Sequence, residues 1–269
     1  VIKVGTDAVP PLLLAGLRFL FLAVPAVFFV RRPKASWLLV AAYGLFLGVG
    51  EFGLLFTAIK LGAPAGVSSL VLQAQAFFTA VLAAIFLRER FSAHSALGML
   101  ISGAGLWIIG AQGNQPGAWG GHFGLALFML LAAALMWAIA NVLAKRIGGV
   151  GALNLLVWSS LASPLPLFAL SLTFEDGAAI QAALTAPSWL SIGALVYLVV
   201  LSTLLGYGGW NHLIVEHGAS RVAPFSMLVP IFGVSSGAVF LGERFSGYHA
   251  LAALLVLAGL ALHVLGSRA

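Results

Sequence analysis

The chain has no cysteine, which excludes disulfides, thiolate metal sites and cysteine nucleophiles. It has little charge: Asp, Glu, Lys and Arg make up 7% of its residues, against about 25% in a soluble domain. A surface facing water cannot be built from so few charges. Strand-type alternation is also lacking, and a transmembrane barrel would need it. There is no glycine-rich phosphate loop followed by lysine, no His/Asp/Glu spacing that fits a metal, and no aromatic-interleaved basic patch for nucleic acid. No signal peptide is visible. What the chain does have is apolar residues, 62% of the total, in long continuous runs. Crossing a bilayer core as a helix takes about 20 such residues, so the expected fold class is an all-α membrane protein. No cofactor is expected, and the expected partners are a small-molecule solute and the lipid bilayer.

The runs predict a stub at 1–9 and helices at 10–30, 37–61, 64–87, 93–111, 122–145, 151–172, 187–215, 220–241 and 248–266. A polar loop holds Glu175 and Asp176. The chain opens at Val1 without a methionine, so the first helix is expected to be largely missing and the parent to carry ten. With the missing N-terminus in the cytoplasm, the cytoplasmic loops hold Arg31, Arg32, Lys34, Arg88, Arg90, Lys145, Arg146, Arg221 and Arg268, and the opposite side only Lys60 and Arg244. That asymmetry follows the positive-inside rule and places both ends of the parent in the cytoplasm. It also accounts for the net charge of +6 without an anionic partner.

An internal repeat is visible. Ala84 to Leu106 lies on Ala238 to Leu260 at a constant offset of 154, matching Glu89-Arg90-Phe91-Ser92 with Glu243-Arg244-Phe245-Ser246. The expected organisation is a first unit at 1–112, a linker at 113–121 and a second unit at 122–269. Five helices per unit is an odd number, so the second copy is inserted upside down. Inverted repeats around a midplane site mark secondary transporters. A lipid-modifying membrane enzyme would gather its carboxylates or histidines at an interface, and here the acids are scattered. A purely structural protein would need neither opposed repeats nor mid-depth charges.

Lys3, Arg18, Glu51 and Gln73 fall at one predicted depth, roughly 9 to 14 Å below the outer surface at about 1.5 Å per residue. Each unpaired charge there costs at least about 2.5 kcal/mol. One reading is a zwitterion site: Arg18 or Lys3 receives a carboxylate, Glu51 an ammonium, and Gln73 and Gln75 add neutral hydrogen bonds. The other is an internal ion pair of Arg18 with Glu51 or Asp7, with Lys3 reaching to the interface. Trp137, Asn141, Trp158, Tyr207 and Trp210 either wall an amphipathic path or pack the core and interface. Gly44, Gly48, Gly50 and Gly53 in the third helix permit either bending or close packing. Pro230 lies within the ninth and is expected to kink it.

With these stretches in view, the chain resembles the drug/metabolite transporter superfamily, and within it the EamA-type exporters of O-acetylserine and cysteine. The resemblance rests on Val1-Ile2-Lys3-Val4-Gly5, Pro10-Pro11-Leu12, Ala15-Gly16-Leu17-Arg18-Phe19, the run from Ser69 to Thr79, Tyr207-Gly208, the run from Arg221 to Pro230 and both Glu-Arg-Phe loops. It implies ten helices in two inverted five-helix repeats around a central cavity, alternating access, and export across a bacterial inner membrane. Where the exporters it resembles carry glutamine, this chain has Glu51, which bears on substrate charge and on proton coupling against simple diffusion. Monomer and homodimer both remain open.

Overall fold

The structure, a computed structural model, describes residues 1–89, 92–112, 121–217, 225, 228–243 and 245–266, without the side chains of 112, 207, 208, 210, 211, 214, 215, 265 and 266. All regular structure among the described residues is helical. The helices are α1 (Ile2–Ala8), α2 (Pro11–Ala26), α3 (Trp37–Lys60), α4 (Ala65–Phe86), α5 (Ala93–Gln112), α6 (Phe123–Ile147), α7 (152–174), α8 (Gly177–Thr185), α9 (189–217), α10 (Leu228–Leu241) and α11 (Gly247–Gly266). Five of them, α3, α4, α5, α6 and α11, are each long and apolar enough to cross a membrane unaided.

The chain turns by 116° between α1 and α2, at Val9-Pro10. Proline at the start of α2 ends the preceding helix and suits a first helical turn. α7 is one span bent by 43° between Ala152–Ala162 and Pro164–Phe174. Its bend has a cause in Pro164, which cannot continue the backbone ladder. The expected loop after Glu175 is instead mostly helical. Asp176 caps α8 by accepting from the Ala179 N–H at 3.0 Å, and the alanine-rich stretch that follows favours helix. α8 meets Trp189–Leu205 at 85°, the attitude of a helix lying along the membrane surface. Pro230 is the third residue of the described α10. The residues before Leu228, on which the expected kink depends, lie outside the described residues.

Three irregularities interrupt otherwise regular spans. Leu45–Gly53 in α3 and Tyr197–Leu205 in α9 are wide π-helical turns of nine residues each, and they start 152 positions apart. α4 breaks at Leu72-Gln73, between Ala65–Val71 and Ala74–Phe86, where the Gln73 and Gln75 N–H groups bond three residues back rather than four.

The molecule is apolar on both sides of its surface. Leu14, Leu22, Phe56, Val71, Leu130 and Leu167 are buried, yet Phe28, Phe29, Trp107 and Phe240 lie more than 70% exposed. A continuous apolar exterior of that kind faces lipid. With no hydrophobic drive between helices in lipid, small residues let backbones meet. Gly98 sits against the Gly259 carbonyl with no room for a Cβ, and a Cβ on Gly105 would stand 2.8 Å from the Ala252 carbonyl. Between them Ser102 donates its hydroxyl to the Val256 carbonyl at 3.1 Å. Positions 98 and 252, 102 and 256, and 105 and 259 are each 154 apart. Exchanging the two copies therefore maps the α5–α11 crossing onto itself. The glycines of α3 are packing sites: a Cβ on Gly44 or Gly48 would overlap Ser159 or Ser163 of α7, and one on Gly50 would meet Met136 of α6 at 2.7 Å.

Candidate substrate site

The irregular turns place the buried polar groups. Glu51 lies in the π-turn of α3 and Thr203 in that of α9, both about 97% or more buried. Arg18 of α2, equally buried, stands between these helices. Its Nη2 donates to Thr203 Oγ1 at 3.0 Å, and its guanidinium lies 4.0 Å from the centre of the Phe52 ring. A desolvated cation over an aromatic face is held by about 2 kcal/mol. Phe52 is itself fixed edge-on between Phe19 and Phe56, at 5.6 and 5.8 Å. The Glu51 carboxylate feels the Arg18 charge, but its Oε2 is buried with no hydrogen-bond partner. Of the two internal partners expected for Arg18, neither Asp7 nor Glu51 takes the bond to Nη2 described above; a threonine does.

Above this layer opens a cavity of about 750 Å³ lined by α1, α3, α4, α9 and α10. Lys3 reaches its wall, with Ser68, Ser69, Tyr197, Ser202 and Ser236 among the other polar side chains and Trp189 also lining it. Leu55, Leu72, Leu198 and Ser202 mark its inner end. Leu55 is one turn from Glu51, Leu72 precedes Gln73, and the Leu198 carbonyl accepts the Thr203 hydroxyl at 2.6 Å. Gln73 is buried at the break in α4.

The remaining expected residues separate into groups. Gln75 and Asn141 do meet: Asn141 Nδ2 donates to Gln75 Oε1 at 2.9 Å and to Thr79 Oγ1 at 3.2 Å, tying α6 to α4. Trp137 packs half-buried against the core. Trp158 stands near the chain segment after α2, where its indole N–H donates to the Val30 carbonyl at 3.0 Å and its ring tilts on Trp37. The side chains of Tyr207 and Trp210 lie outside the described residues. Thr203, Thr79 and Phe52 were not among the expected residues. For Thr203 a signal existed: laid on the third helix of the first copy at an offset of 152, it falls on Glu51.

The starts of two helices are closed by acids. Glu175 accepts from the Leu12 and Leu13 N–H groups at 2.6 and 3.2 Å, at the start of α2. Glu243 accepts from Ala65 and Gly66 at 2.7 and 3.0 Å, at the start of α4. Both satisfy donors that a helix start leaves open and place negative charge at the positive end of the helix dipole.

The family model described as "EamA-like transporter family" matches residues 1–111 and 124–265. The chain belongs to the EamA-like transporter family. It is 44% identical to a Salmonella typhimurium protein named a probable amino-acid metabolite efflux pump, over all of this chain and 90% of that one. An Escherichia coli protein of the same name is 40% identical over the same shares. A Streptantibioticus cattleyicolor protein named a probable terminal-alkyne amino-acid exporter is 25% identical, over 80% of this chain and 69% of its own. One solved crystal structure superposes with a TM-score of 0.64, covering 98% of this chain and 93% of that one at 20% identity. That likeness concerns the fold. The EamA-family chain is thus a multi-pass membrane transporter.

Proposed function

We propose that this EamA-family transporter exports small amino acids or related metabolites, of the O-acetylserine and cysteine type, by alternating access across a bacterial inner membrane. The observation that carries the reading is the buried Glu51 Oε2, which has no hydrogen-bond partner beside an Arg18 bonded elsewhere. The substrate ammonium takes that oxygen. The carboxylate meets Lys3 on the cavity wall or the guanidinium of Arg18, and Gln73 and Gln75 add neutral hydrogen bonds. Units 1–112 and 122–269, joined by 113–121, act as two inverted five-helix repeats of a ten-helix parent whose ends both lie in the cytoplasm. The self-mapping of the α5–α11 crossing supports this arrangement. Midplane sites between opposed repeats are the general plan of such carriers. The names of the enteric relatives support the substrate class. Exchange of a proton for the ammonium on Glu51 would couple export to the proton gradient.

The test is radiolabelled O-acetylserine and cysteine flux in proteoliposomes of the full-length protein, with and without a pH gradient. Wild-type flux is expected to follow the gradient and Glu51→Gln flux to lose that dependence. Absence of flux for both solutes in folded protein would refute the substrate class. Flux indifferent to both gradient and mutation would leave a uniporter with a structural Glu51.

A further inference from the structure

Resting on that reading of Glu51, we infer that Thr203 is the specificity-determining partner of Glu51: it holds the Arg18 guanidinium away from the carboxylate and so keeps Glu51 open to a substrate ammonium. The argument begins with two irregular turns of equal length. Leu45–Gly53 and Tyr197–Leu205 are the π-helical segments among the described residues, and Glu51 and Thr203 are both the seventh residue of their segment. Wide turns of this kind recur at functional sites. The two repeats therefore bring equivalent positions to the same buried layer but place an acid on one and a hydroxyl on the other.

The hydroxyl has one hydrogen, and its direction is fixed. Thr203 Oγ1 donates to the Leu198 carbonyl five residues back, at 2.6 Å, a contact that suits the wide turn. Only its lone pairs are left, and they accept from Arg18 Nη2. Phe52 holds the face of the same guanidinium. With these contacts among those that position it, Arg18 exerts its charge on Glu51 while Glu51 Oε2 keeps no hydrogen-bond partner. Without the hydroxyl, an opposite charge in a low-dielectric layer is the strongest alternative partner for the guanidinium. Arg18 would then close on Glu51 and compete with any incoming ammonium. A neutral or anionic solute would gain nothing from an open Glu51, so the arrangement selects for a cationic amine group.

The experiment compares Thr203→Val, Thr203→Ala, Thr203→Ser and Glu51→Gln, with the double variant Thr203→Val/Glu51→Gln, in proteoliposomes, using radiolabelled O-acetylserine as the probe. Loss of the hydroxyl is expected to raise the half-saturation concentration about tenfold, the scale of one hydrogen bond to a charged group, with maximal flux less affected. Thr203→Ser is expected to restore the wild-type value. The double variant should be no worse than Glu51→Gln alone, since Thr203 acts through the Arg18–Glu51 relation. If Glu51→Gln leaves half-saturation unchanged, the site reading fails and the inference falls with it. If Glu51→Gln raises it but Thr203→Val and Thr203→Ala do not, or the effects add in the double variant, the site stands and the role of Thr203 is overturned. Failure of both hydroxyl-free variants to fold, with Thr203→Ser folded, would make the hydroxyl structural and overturn it equally.

Discussion

Replacing Glu243 by alanine should loosen the outer end of the cavity by an amount the structure allows one to work out. The Glu243 carboxylate reaches from the turn after α10 to cap α4 through two backbone N–H groups, at 2.7 and 3.0 Å. Below it, α4 and α10 meet through small residues: Gly66 against the Val234 backbone and Gly233 against Ser69. The two helices approach closely there, and the cap adds a polar tie between them at this end. Losing a helix cap costs about 0.5–2 kcal/mol. A loss of 1–2 kcal/mol is a factor of about 5–30 in a population ratio. The assay exploits the absence of native cysteine. Ser68 lines the cavity and is 1% exposed, so a maleimide that cannot cross the membrane should label Ser68→Cys only when α4 and α10 part. Glu243→Ala should raise the labelling rate about 5–30-fold if the open state is in rapid exchange. Glu243→Gln, which keeps one acceptor oxygen, should raise it less. An unchanged rate in a variant that retains its melting temperature would refute the role of this cap in closing the outer end.

Other consequences follow from single contacts. Gly48→Val forces a side chain into Ser163 and should destabilise by about 1–3 kcal/mol as overpacking does, whereas Gly103→Ala, with open space around it, should be neutral or stabilising by up to about 1 kcal/mol; thermal unfolding in detergent compares the two. Trp158→Phe removes the N–H bond to Val30 and should cost about 1 kcal/mol with the half-saturation for O-acetylserine unchanged. A raised half-saturation would instead put Trp158 in contact with substrate. Asn141→Leu breaks both bonds to α4 and should lower stability by about 0.6–1.7 kcal/mol, the range for interhelical bonds in membranes, read by the same melts.

Much of the framework was legible because a bilayer is a simple solvent. An apolar run of about twenty residues such as the one ending at Arg88 can do little but span and stop; the run before Arg31-Arg32 forms the shorter helix Pro11–Ala26. Glu51 and Arg18 stood out for the same reason, since every charge inside an apolar run is conspicuous. The pairing of Gln75 with Asn141 was not legible, although both residues were singled out, because it depends on how α4 and α6 rotate against each other. Thr203 was hidden by its type: a threonine in an apolar span draws no notice, and its partner lies 185 positions away. Glu175 and Glu243 each cap a helix remote in sequence, a pairing that no local pattern marks. α8 was missed because its composition is neither apolar enough for a span nor polar enough for a turn, and its capping aspartate was taken with the loop.

The layer around Arg18 leaves a buried polar group unanswered, which supports the proposed recognition role. An acid at mid-depth costs at least about 2.5 kcal/mol unless something answers it. Arg18 is close enough for its charge to act on Glu51, and a direct bond between them would have answered both charges at once. Breaking or forgoing one side of a buried pair is costly because the uncompensated group stays desolvated. Yet the guanidinium bonds Thr203 and lies over Phe52, and Glu51 Oε2 is left without a hydrogen-bond partner. A fold optimised only to hold helices together would close that gap. The π-turns bear on the same point, since each replaces the regular ladder of α3 or α9 where these residues sit. The two π-turns start 152 positions apart, and Glu51 and Thr203 occupy the same place in each.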